Sequence, residues 1–91
     1  MAEIDFSVLE RSKVRQAEFA ELVGVSRATV NCWCNNRGMG VHHLRVQKVT
    51  KYLGAFEGAL RDNDLPLKAG IHRLDRMETI RKILLTQLKK G

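Results

Sequence analysis

Between Gln16 and Asn35 the chain sets a small residue, Ala20, four positions ahead of a glycine, Gly24, and surrounds both with apolar side chains. Two helices that cross at a sharp turn need that combination. A small side chain lets the backbones approach, a glycine takes positive φ in the turn, and apolar neighbours bury the contact. Phe19, Ala20, Leu22 and Val23 cluster at helical spacing, so the pattern predicts a helix from Gln16 to Val23 that stops at Gly24. Ser26 is then placed to cap a further helix from Arg27 to about Cys34. On that helix Val30 and Trp33 share the inner face, while Arg27, Ala28, Asn31 and Cys32 face outward.

The flanking segments read as further helices. Ser7-Val8-Leu9-Glu10 has the form of a capping box, which predicts a first helix running to about Lys13. A stretch from Asn35 through Arg37 to Gly40 is loop-like. Beyond it, Val46, Val49 and Leu53 predict a helix starting near His42 or His43, with Arg45, Lys48 and Lys51 on its other side. Gly54 is expected to end that helix, leaving Phe56 to Leu60 as a short separate one. Arg61 to Pro66 gathers turn formers around the only proline and reads as a linker. From about Ile71 to Lys90 a long helix carries Leu74, Met77, Ile80, Leu84 and Leu88 on one face, widened by Ile71, Ile83 and Leu85. The expected fold class is all-α: a compact domain of four to five helices over residues 1–62 and a long C-terminal helix within 63–91.

With 91 residues, one proline and 44% apolar content, the chain suits a single core. Sixteen Lys and Arg against ten Asp and Glu give a formal charge of +6, which favours polyanionic partners without saying which. The excess is uneven. Residues 1–40 hold five basic and five acidic side chains, residues 41–91 eleven and five. The first part would therefore have to bind by local geometry. No apolar run reaches the roughly 20 residues of a membrane span, and the start of the chain lacks a secretory pattern. A cytoplasmic protein is expected. Cys32 and Cys34 are spaced poorly for an intrachain disulfide. On a helix they point to nearly opposite sides, so no metal is expected even with His42 and His43 nearby. No glycine-rich phosphate loop, paired acids or nucleophile set is present, so neither enzyme activity nor a cofactor is expected.

Gln16, Ala20, Gly24-Val25-Ser26, Thr29-Val30 and Trp33 together resemble the helix-turn-helix of the phage Cro and lambda-type repressor family, also called the Xre family. The likeness extends less fully through Lys51-Tyr52-Leu53-Gly54 to about Leu60. It departs at Arg15, where the family usually has a Ser or Thr cap, at Cys34, where an acidic residue is common, and in the loop, which lacks the usual proline. The resemblance implies a helix that enters the major groove from Arg27 onward, while the preceding helix crosses the backbone. It assigns base reading to Arg27, Ala28, Asn31 and Cys32. Arginine bonds guanine bidentately, alanine meets a thymine methyl, and asparagine reaches adenine. Phosphate contact or support falls to Arg15, Gln16, Ser26, Thr29, Asn35 and Arg37.

The face of the C-terminal helix is wider than the roughly 100° stripe that one core needs. It either folds back on the domain or pairs with a second copy, and pairing through Leu74, Met77, Ile80, Leu84 and Leu88 is the expectation. Arg73, Arg76, Arg81, Lys82, Lys89 and Lys90 are expected to be a solvated face, with an extra phosphate-binding flank as the alternative. The resulting expectation is a Cro-like repressor that binds a palindromic site on double-stranded DNA as a homodimer. The alternatives are an antitoxin whose terminal helix grips a protein partner, and a helical adaptor that never touches nucleic acid.

Overall fold

A computed structural model describes residues 4–36 and 40–90. The described residues form an all-α fold of five helices: α1 (Ser7–Ser12), α2 (Gln16–Val23), α3 (Arg27–Asn35), α4 (His43–Arg61) and α5 (Arg73–Lys90). Helix α2 packs on α3, α1 on α4, and α4 on α5. A chain of aromatic rings runs through the centre. Phe6 lies 6.2 Å from Trp33 and 6.3 Å from Phe19, and Phe19 lies 6.1 Å from Phe56 in an edge-on arrangement. Val30, Val49 and Ile80, each fully buried, close around it.

The ends of the helices follow local chemistry, with two departures from expectation. Ser7 does not form a capping box with Glu10. Instead the Asp5 carboxylate accepts the Ser7 backbone N–H at 3.0 Å and the Ser7 hydroxyl as well, a charge-assisted bond that turns the hydroxyl toward Asp5. Those bonds hold the Asp5 carboxyl below its ordinary pKa. At its other end α1 stops on Lys13, in the left-handed conformation at φ 59°. Gly54 does not end α4, which runs unbroken from His43 to Arg61. Val49, Leu53, Phe56 and Ala59 recur at helical spacing and are all buried, so core packing along one face outweighs the modest helix penalty of a mid-helix glycine. Val46 shares the side of Val49 and Leu53, but lies one turn before that buried run and is 37% exposed.

Helix α5 folds back. Ile80 and Leu84, expected on a partner-facing surface, are 0% and 2% exposed within the chain's own core. The connection before α5 is pinned as well as turned, with Leu65 buried and its N–H, like that of Asp64, bonded to the Ala59 carbonyl. At the far end Asp62 accepts from Gln87 at 2.7 Å and from Lys90 at 3.0 Å. A radius of gyration of 12.5 Å, against about 12 Å for a packed chain of this length, agrees with α5 lying on the body.

Arg76 is likewise not part of a solvated face. Its Nε and one terminal nitrogen each donate to Glu18 at 3.0 Å, and the same terminal nitrogen donates to the Lys13 carbonyl, also at 3.0 Å. The pair ties the start of α5 to the first turn of α2. Burial by itself would raise the Glu18 pKa, but the bonds from Arg76 and from the Arg15 N–H, together with both positive charges, hold it below the ordinary glutamate value. The bond to Glu18 holds Arg76 above its own ordinary value.

Candidate nucleic-acid interface

The hairpin of α2 and α3 forms as its residue pattern predicts. Gly24 adopts φ 91°, ψ 34°, and its N–H and that of Val25 both bond to the Ala20 carbonyl, at 2.8 and 3.0 Å. This closes α2 in one left-handed step that a side chain would strain. Ala20 itself is 3% exposed. Ser26 then caps α3, its hydroxyl accepting the Thr29 N–H at 3.1 Å and lying 2.8 Å from the Thr29 hydroxyl. Thr29 is half-buried, so both hydroxyls first serve to fix the start of α3.

Val30 at 0% and Trp33 at 3% exposure anchor the inner side of α3, which excludes the tryptophan from base stacking. Arg27, Ala28, Asn31, Cys32 and Asn35 are all exposed. Steps of four residues from Arg27 to Asn31 and from Asn31 to Asn35 put these three on one side of the helix, with Ala28 and Cys32 adjacent. Helix α3 contains no acidic residue. A ridge about two turns long thus offers a guanidinium, two carboxamides, a methyl and a thiol, held from below by a rigid core.

Gln16 and Arg15 sit at the other end of the hairpin. Gln16, the first residue of α2, is half-buried and lines a cleft with Cys34 and Asn35 of α3. It therefore braces α3 rather than standing free. Burial pushes the Cys34 thiol pKa up, with the Gln16 contact pulling the other way. Arg15 is exposed just before α2, and its N–H donates to the Glu18 carboxylate at 2.9 Å. That bond is the glutamate half of a capping box: it satisfies the amide of Arg15 itself, while no side chain at this position caps the first amides of α2. Arg37 lies outside the described residues.

Two features around the site were not anticipated. The Lys48 ammonium reaches the Val23 carbonyl at 3.4 Å and lies 5.7 Å from the centre of the Tyr52 ring, so α4 fastens the end of α2. The Glu18–Arg76 pair does the same for its start. Neither had a sequence signal, because both depend on how distant helices lie together. His42 caps α4, its Nδ1 accepting the Leu44 N–H at 3.3 Å. No helix among the described residues is long and apolar enough to cross a membrane.

Set against protein-family models, curated proteins and solved structures, the chain matches none.

Proposed function

We propose that this chain is a sequence-specific, double-stranded DNA-binding regulator of transcription, a Cro-like repressor that acts in the cytoplasm as a homodimer on a palindromic site. The observation that carries the proposal is the exposed, acid-free ridge of α3 on a hairpin whose other side is locked into the core. A helix about 10 to 12 Å across fits a major groove about 12 Å wide. Carboxylates on such a ridge would be repelled by phosphate, and α3 has none.

Within this function Arg27 reads guanine, Asn31 reads adenine and Ala28 meets a thymine methyl, each good bidentate pair contributing about 1 to 3 kcal/mol of discrimination. Cys32 lies beside them at the base edges. Exposed Arg15 and Asn35 address phosphates, while Gln16, Ser26 and Thr29 hold the angle and start of α3. Arg37 remains a candidate for phosphate on the sequence alone.

The test is a comparison of wild-type protein with Arg27→Ala and with Arg15→Ala on an identified duplex and on its single-base variants, across a range of salt. Arg27→Ala should relax the choice of base at one position in each half-site. Arg15→Ala should weaken all duplexes about equally and shallow the salt slope by about one. An Arg27→Ala protein with an unchanged base preference would refute the assignment of the reading residue.

A further inference from the structure

Leu74 and Leu85 remain in solvent on α5, 74% and 52% exposed, although the helix already gives Ile80 and Leu84 to the core. They share a stripe with Glu78 and Arg81, both exposed. Steps of four, three and four residues hold these positions within about 60° around the helix axis. The stripe lies beside the core-facing side, and half-buried Met77 and Leu88 occupy the angle between the two. Only its two ends are apolar, so any partner helix along it must meet the two charges in the middle as well as the leucines.

The stripe is complementary to itself in one orientation. Read in either direction it runs apolar, charged, charged, apolar, with its centre midway between Thr79 and Ile80. Two antiparallel copies of α5 related by a two-fold axis at that centre set Leu74 against the partner's Leu85 and Glu78 beside the partner's Arg81. Each contact then occurs twice. A parallel pairing would instead oppose Glu78 to Glu78 and Arg81 to Arg81, which repel. Glu78 already has Lys82 one turn away at 3.6 Å, but its side chain is 70% exposed and has room for a second cation.

We infer that the Leu74, Glu78, Arg81 and Leu85 stripe of α5 is the homodimer interface, formed by antiparallel pairing with a second copy of this chain. The inference deepens the dimer contained in the proposed function, and replaces Ile80 and Leu84 as its contacts with Leu85, Glu78 and Arg81. The stripe spans about 16 Å of helix, so the pairing is modest and concentration-dependent.

Sedimentation velocity without DNA, from about 1 µM to about 1 mM at low salt, tests it. The wild-type chain should pass from monomer to dimer over that range. Glu78→Arg alone and Arg81→Glu alone each leave like charges facing twice, and each should raise the dimer Kd roughly tenfold or more. Both changes in one chain re-form the pairs in swapped order and should bring the Kd back to within about threefold of wild type. All these positions are exposed, and circular dichroism melts would check that each variant is folded. A wild-type chain that stays monomeric throughout, single variants that dimerise as well as wild type, or a double variant that is not rescued would overturn the inference. DNA binding is scored separately. A monomer that still selects a half-site would sink this interface alone, whereas a rescued dimer without DNA affinity would sink the DNA function alone.

Discussion

Replacing Arg76 with Ala tests the most buried ion pair among the described residues. Arg76 and Glu18 have side chains only 13% and 7% exposed, and three charge-assisted hydrogen bonds leave the guanidinium, two to Glu18 and one to the Lys13 carbonyl. Removing one member of a fully buried pair costs about 3 to 5 kcal/mol, because the other charge is stranded. Here the cost is lower, since Glu18 keeps the Arg15 N–H and water can reach the edge of the site. We expect about 2 to 3 kcal/mol. Against a total stability of about 5 to 14 kcal/mol for a chain of this length, that is a large fraction. It corresponds to a fall in Tm of roughly 10 to 20 °C.

The acid limb supplies a second readout. Glu18 titrates below its ordinary value in the folded protein, so the pair's contribution is complete above the unfolded glutamate pKa of about 4.3 and is lost as pH falls through the lower folded pKa. In Arg76→Ala, burial acts on Glu18 without its main counterweight and raises its pKa. The stability gap between the two proteins should therefore shrink steadily below about pH 5. Urea unfolding of both proteins from pH 7 down to pH 3, followed by circular dichroism, measures it. A gap below about 0.5 kcal/mol at pH 7, the value of an exposed ion pair, would refute the reasoning. A gap that does not change on acidification would refute the linkage.

Other consequences follow from single positions. Gly54→Ala should raise stability by about 0.5 to 1 kcal/mol in denaturant unfolding, because α4 passes through Gly54 and an added Cβ there meets nothing within 4 Å. Ser26→Ala should cost about 1 kcal/mol in the same assay through loss of the α3 cap, and should weaken DNA binding further by loosening the start of the reading helix. A limiting amount of iodoacetamide should label exposed Cys32 before Cys34, whose thiol is half-buried and titrates high, with mass spectrometry of the Cys32→Ser and Cys34→Ser proteins separating the two sites.

The parts of the fold legible in the sequence are those fixed by neighbours within one or two turns. The Ala20, Gly24 and Ser26 arrangement specifies the hairpin, because a positive-φ terminator and a cap act through bonds to residues three to five positions away. The burial of Val30 and Trp33 follows from the same spacing. Features set by distant segments were not legible. A glycine in a helical pattern reads as a stop, and only the buried run from Val49 to Ala59 makes Gly54 an interior residue. The wide apolar face of α5 reads equally well as core or interface, and the position of α4 decides that Ile80 and Leu84 go inward and Leu74 and Leu85 stay out. Leu65 sits among turn formers yet fills the core, and Arg76 lies in a basic helix with no hint of Glu18, 58 residues earlier. The outer ridge of α3 is legible as residue types, since exposure follows from the inner face, while its complement of bases depends on groove geometry that the chain alone does not contain.

The most direct test of the central claim is selection of bound duplexes from a randomised double-stranded pool at physiological salt, followed by sequencing of the enriched fraction. The account predicts an inverted repeat whose half-sites lie about 34 to 36 Å apart, one helical turn. Repeating the selection with Arg27→Ala should relax one base in each half-site. Absence of any enriched sequence would contradict the account.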